Sequence, residues 1–214
     1  MGRASVVTEA HLAAKDSRKA GATVTQTAAR RSAVVMGLTL ATAAHAQVSV
    51  AGKGGPIRLE AGEQSVELSL NGGSVRGPGI ELRQRGDAWV GQVRGSDVDV
   101  GWDSGKLLGR VGDDTVSLQV LERTPEPGLR LEGNFASRPS SLIIAPFAIA
   151  GAMGGCDYTL SVTAGRYAGW RTCQPGTTLA PGPVSLTLPE EVLTLDTGEK
   201  AALLALLLSE KVLP

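Results

Sequence analysis

The feature that most constrains this chain is a run of short apolar/polar alternations cut by turn residues. Val66, Leu68 and Leu70 alternate with polar neighbours, and Asn71-Gly72-Gly73 follows. Ile80-Glu81-Leu82-Arg83 leads into Arg85-Gly86-Asp87, and a strand from Ala88 to Arg94 leads into Gly95-Ser96. Val98, Val100 and Trp102 share one face of the next segment, with Asp97 and Asp99 on the other, before Asp103-Ser104-Gly105. Leu107–Val111 meets Gly112-Asp113-Asp114, and Val116, Leu118 and Val120 alternate again. A period of two is the signature of a strand with one buried face, because successive side chains point to opposite sides of a sheet. The Gly, Asn and Asp residues between the runs supply the positive-φ conformations that tight hairpins need.

A loose repeat runs through the same stretch. Ser74-Val75-Arg76-Gly77, Gln92-Val93-Arg94-Gly95 and Gly109-Arg110-Val111-Gly112 recur about every 17 to 18 residues. That spacing fits a hairpin of two short strands, so the expected fold is mainly β: an antiparallel up-and-down meander, either barrel or sandwich. A β-solenoid with one coil per repeat is the competing architecture. The charged strand faces and the break at Pro125-Glu126-Pro127-Gly128 favour the meander. The 28 glycines and the 3% aromatic content suit many strands and tight turns better than long helices.

Further along, Ser141–Gly155 is apolar but interrupted by Pro146 and by glycines, which reads as a buried strand or a loop tucked under the sheet. It is too short for a membrane span. Pro181–Leu188 is a strand with Val184, Leu186 and Leu188 alternating. Thr197-Gly198-Glu199 opens a short C-terminal helix, Lys200–Lys211, that is apolar nearly all round. Such a helix has to pack into the domain or against a partner.

The N-terminal part differs in character. Arg30-Arg31 precede an uncharged Ala/Val/Leu stretch, Ser32–Ala44, which ends in Ala44-His45-Ala46 before Gln47. A basic region, a short apolar region and a small-x-small site make an export signal, cleaved between Ala46 and Gln47. Residues 1–46 are therefore expected to be an export signal with an extended basic region, and 47–214 a single glycine-rich β domain. Six Lys/Arg and two Asp/Glu lie in the first part, and 15 and 19 in the second. The expected location is the periplasm or the cell exterior.

Cys156 and Cys173 are the only cysteines. They bracket a hairpin-like sequence, and paired strand ends bring two Cα atoms within disulfide reach. In an oxidising compartment the bridge is expected to form. Both histidines, His11 and His45, lie in the leader. Its removal leaves no imidazole for a Ser-His-Asp or Cys-His centre, or for a His-based zinc site. No cofactor and no metal is expected, and a net charge of zero gives no electrostatic ground for a nucleic-acid partner.

Two tripeptides, Asp103-Ser104-Gly105 and Asp196-Thr197-Gly198, resemble the Asp-Thr/Ser-Gly signature of aspartic proteases. The resemblance implies two carboxylates, Asp103 and Asp196, sharing a proton to activate water. The same residues serve equally as a hairpin turn and a helix N-cap. Asp97, Asp99, Asp103, Asp113 and Asp114 form an acidic group that reads as a solvated strand face. Trp89, Trp102, Tyr158, Tyr167 and Trp170 are the aromatic candidates for a platform that stacks a sugar or peptide; their alternative is core filling. The leading expectation is an exported, non-enzymatic envelope or secreted protein, binding or structural, whose partner is a protein or a carbohydrate and whose mature chain has no transmembrane span. The alternative is a histidine-free hydrolase working through Asp carboxylates, aspartic-protease-like or glycosidase-like.

Overall fold

The computed structural model describes residues 51–52, 55–177 and 179–212. The expected export signal 1–46, with His11, His45 and Ala46, and the expected first mature residue Gln47 lie outside the described residues. Strands β2 (Ile57–Ala61), β3 (Gln64–Asn71), β4 (Ser74–Gly77), β5 (Ile80–Gln84), β6 (Ala88–Val93), β7 (Ser96–Asp103), β8 (Lys106–Val111) and β9 (Asp114–Glu122) follow a two-residue strand β1 (Ala51–Gly52). After them come β10 (Leu129–Phe135), β11 (Arg138–Ala145), β12 (Ala148–Met153), β13 (Cys156–Thr163), β14 (Arg166–Cys173) and β15 (Gly182–Pro189). Two helices end the chain, α1 (Glu190–Thr194) and α2 (Thr197–Leu207).

Each strand from β2 to β15 pairs antiparallel with the next, and β15 pairs back onto β2 with Leu186 opposite Leu59. The meander is thus a closed 14-strand up-and-down barrel, not a sandwich. The short β1 runs parallel to β15, beyond the reach of β2, with Ala51 opposite Leu188. Closure pairs the strand edges that an open sheet would leave exposed.

The alternation sorts side chains cleanly. Val66, Leu68, Val98, Val100, Val116, Leu118, Leu131 and Leu142 point inward and are buried. Charged residues between them point outward and meet opposite charges across the ladder: Arg58 pairs with Glu67, and Arg76 lies 3.7 Å from Glu81. An apolar interior within a charged exterior is the inverse of a membrane barrel, whose outer band is apolar. No helix among the described residues is long and apolar enough to cross a membrane.

Helix α2 runs through the lumen. Its first turn sits at the mouth bounded by the β7–β8, β9–β10 and β11–β12 connections: Thr197 Oγ1 donates to Glu122 Oε1 (2.6 Å), and Trp89 Nε1 donates to the Glu199 carbonyl (3.1 Å). Its far end reaches the opposite mouth. There Tyr158 OH donates to the Leu208 carbonyl (2.5 Å), and Lys211 Nζ lies 2.8 Å from Asp114 Oδ2. Ala201 through Leu208 are all buried, so the all-round apolar surface of the helix meets wall on every side. The helix begins at Thr197, behind an Asp196 N-cap and three residues before the run expected from sequence, and ends at Leu207 rather than Lys211. Helix α1 was not expected. Ser141–Gly155 is neither a lone buried strand nor a loop but most of the β11–β12 hairpin, with Pro146-Phe147 as its turn.

Curvature has a sequence device. Gly91, Gly109, Gly133, Gly151 and Gly169 place one inward glycine in each even-numbered strand from β6 to β14, opposite buried partners such as Val100 and Val116 for Gly109. At Gly109 φ is +150°, and an added Cβ would lie 1.9 Å from the Asp99 carbonyl oxygen. Neighbouring strands approach each other there more closely than any side chain permits, and the sheet bends.

Gly109→Ala is expected to destabilise the protein by roughly 2 kcal/mol or more through the clash and the strained φ. Gly86→Ala, at a turn with φ of +58° and open space around it, should cost only about 1 kcal/mol. Denaturant midpoints of the two variants check this; equal losses would contradict the role given to the inward glycines.

Candidate functional site

The disulfide joins Cys156 at the start of β13 to its directly opposite partner Cys173 at the end of β14, Cα–Cα 4.0 Å. It clips the hairpin beside the mouth where α2 ends. Among the described residues no thiol is free and no histidine is present.

The two Asp-containing tripeptides do come to the same mouth. The Trp102 side chain packs so closely on Gly198 that a Cβ there would lie 2.4 Å from its ring, and Asp103 and Thr197 line one shallow depression. Their carboxylates nevertheless have separate local tasks. Asp103 Oδ1 accepts from Ser104 Oγ in the β7–β8 turn (2.8 Å). Asp196 Oδ1 accepts from the Glu199 backbone N–H (2.8 Å) and caps α2. Both side chains are exposed. Asp97 lies at the opposite mouth, about 20 Å away along β7 at roughly 3.3 Å per residue. Asp97 and Asp99 project from the outer face, and Asp97 accepts from Gln92 Nε2 (3.2 Å). Among the described residues no group of three or more His, Cys, Asp or Glu is arranged to hold a metal ion.

The five aromatic candidates do not form a platform. Trp89, Tyr158 and Tyr167 are inward-facing core residues, exposed by 0, 1 and 2%. Trp102 is half-buried against α2, and Trp170 alone stands on the outer wall, 55% exposed. The inward period of their strands places the first three in the lumen, where each polar tip has a backbone acceptor. Trp89 and Tyr158 hold the two ends of α2, and Tyr167 OH donates to the Ala145 carbonyl (2.8 Å). Burial raises both phenol pKa values to about 12; at Tyr158 the neighbouring Arg171 opposes the shift.

Sequence reasoning missed two buried charged residues among the described residues. Arg171 is 4% exposed and donates from Nη2 to the Ala180 carbonyl (2.9 Å), while its Nε and Nη1 have no hydrogen-bond partner among the described residues. It stands opposite Tyr158 near the C-terminal end of α2, a helix with no basic residue in its own last turn. A cation there favours the exposed carbonyls. Glu199 lies in the first turn, 6% exposed. Burial and then Asp196 raise its pKa, while the Asp196 backbone N–H lowers it. Asp196 and Glu199 together make a reciprocal capping box.

The feature with the form of a ligand site is a crevice of about 460 Å³ at the mouth where α2 enters. One wall is α1 and α2, with Leu193, Lys200 and Leu204; the other is the barrel rim, with Leu129, Ile144, Pro146, Tyr167 and Leu188. Glu122 and Arg123 complete the edge. The volume is in the range of small-molecule sites, roughly 300–1,000 Å³, and the combination of an apolar lining with a few polar groups is their usual chemistry. None of the sequence candidates except Tyr167 lies in it. Its lining comes from elements far apart in the chain, brought together only by barrel closure and the helix.

Tyr158 and Tyr167 are the only tyrosines. A buried neutral phenol favours the folded state, so this contribution is complete below the unfolded pKa near 10 and is lost as pH rises through about 12. Ultraviolet titration of the folded protein should therefore show little phenolate at about pH 10, where the denatured chain is half-ionised. Half-ionisation of both tyrosines at that pH in the native protein would contradict their burial. No family model, no curated protein and no solved structure matches the chain.

Proposed function

We propose that this is an exported, non-enzymatic envelope or secreted protein that binds an apolar small ligand in the crevice at the helix-entry mouth. The observation that carries the reading is the crevice itself, an apolar recess between the helix and a continuous barrel rim. The leader pattern before Gln47 and the disulfide support export to the periplasm or beyond. The exposed carboxylates at the same mouth accept hydrogen bonds within a turn and a helix cap, which favours a binding role over a hydrolytic one.

Two measurements test the proposal. The non-reduced intact mass of protein recovered from the envelope fraction should correspond to a chain beginning at Gln47 and lighter by two hydrogens than the dithiol. A full-length reduced chain in the cytosol would overturn export. The uncharged fluorophore N-phenyl-1-naphthylamine should bind saturably at one site. Leu193→Asp, a change at a 36% exposed rim residue, should weaken that binding several-fold without altering the circular dichroism spectrum. Failure of the probe to bind saturably, or binding indifferent to Leu193→Asp, would overturn the crevice as the site.

A further inference from the structure

We infer that the ligand of this crevice is a single-chain amphiphile with an anionic head, such as a medium-chain carboxylate, its head at Lys200 and its tail directed toward Leu204. The inference rests on the proposed binding role of the same crevice. Lys200 and Leu204 both line it, and on a helix residues four apart lie one above the other, separated by about 6 Å along the axis. Because α2 runs from this mouth into the lumen, Lys200 lies at the opening and Leu204 one turn deeper. Leu204 is 1% exposed, and with Leu188, Ile144 and the buried ring of Tyr167 it gives the crevice an apolar surface.

The lining at the opening carries Lys200, Arg123 and Glu122, and the two charges beside Lys200 are engaged elsewhere. Glu122 accepts a hydrogen bond from Thr197 Oγ1, and Arg123 Nη2 lies 3.0 Å from Glu126 Oε2. The Lys200 amine has no ion pair or hydrogen bond among the described residues. An unengaged ammonium at the edge of an apolar recess favours an anion on a short apolar stem. Desolvation at the apolar edge strengthens that charge-assisted contact relative to open surface. A volume of about 460 Å³ suits a single short chain.

Calorimetric titration with sodium decanoate and with decyltrimethylammonium tests the assignment. Decanoate should bind one to one, about tenfold or more tighter than its cationic counterpart, with a preference that shrinks as salt is raised. Lys200→Glu is tolerated near a helix N-terminus, where acidic residues are favourable. It should reverse the preference between decanoate and decyltrimethylammonium. Equal affinity for the two amphiphiles, or a preference unchanged by Lys200→Glu, would overturn the anionic-head assignment and leave the apolar binding role standing. If neither amphiphile nor the neutral probe binds saturably, both readings fall.

Discussion

The lumen of a 14-strand barrel is too wide for inward side chains alone, and the burial of α2 is what makes this barrel a packed core. Strands spaced about 4.8 Å apart give a wall radius of at least roughly 11 Å, and inward side chains reach only about half of that. A helix of about 5 Å radius with its side chains fills the remainder. Leu203, Leu204, Leu206, Leu207 and Leu208 cover the circumference of α2 and are buried against the wall. Helix and barrel thus form one core, and removing either would expose the apolar surface of the other to water.

Polar contacts set the register of the helix within that core. Apolar packing is non-directional and would tolerate small rotations or slips of a leucine-rich rod. Trp89 at one end and Tyr158 at the other each donate to one specific carbonyl, and Thr197–Glu122 and Lys211–Asp114 attach the helix ends to opposite rims. The inward glycines complement these anchors. They draw the wall together where a side chain would hold strands apart, and larger neighbours such as Val100 and Leu118 fill the space. At the mouth where α2 enters, a crevice remains between the two helices and the rim.

The strands were readable because their period-two pattern is local: Val66-Leu68, Val98-Val100 and Val116-Leu118 each state a face, and Asn71-Gly72-Gly73 and Asp103-Ser104-Gly105 state the turns. The disulfide hairpin and the helix cap at Asp196 were readable for the same reason. Closure was not, because the pairing of Leu186 with Leu59 joins the two ends of the meander and leaves no mark in either segment. The apolar circumference of α2 showed that it had to be buried but not where. Pro146 disguised the β11–β12 hairpin, since a proline in an apolar run reads as a break when it can equally be the turn. Strand parity decides between the two readings of the aromatic residues: Trp89, Tyr158 and Tyr167 fall on the inner parity and fill the core, while Trp170 faces out. Arg171 shares the inner parity, an arrangement that composition alone argues against. The crevice, built from β9–β11, β14–β15 and both helices, had no contiguous signature to read.

Native-state hydrogen exchange of the segment 201–208 tests the central claim most directly. If α2 is the inner half of the core, its amides should exchange only through global unfolding, with the same protection free energy as the central strands β7 to β10. Rapid exchange of that segment while the strands remain protected would show a barrel that stands without its helix, and would contradict the account.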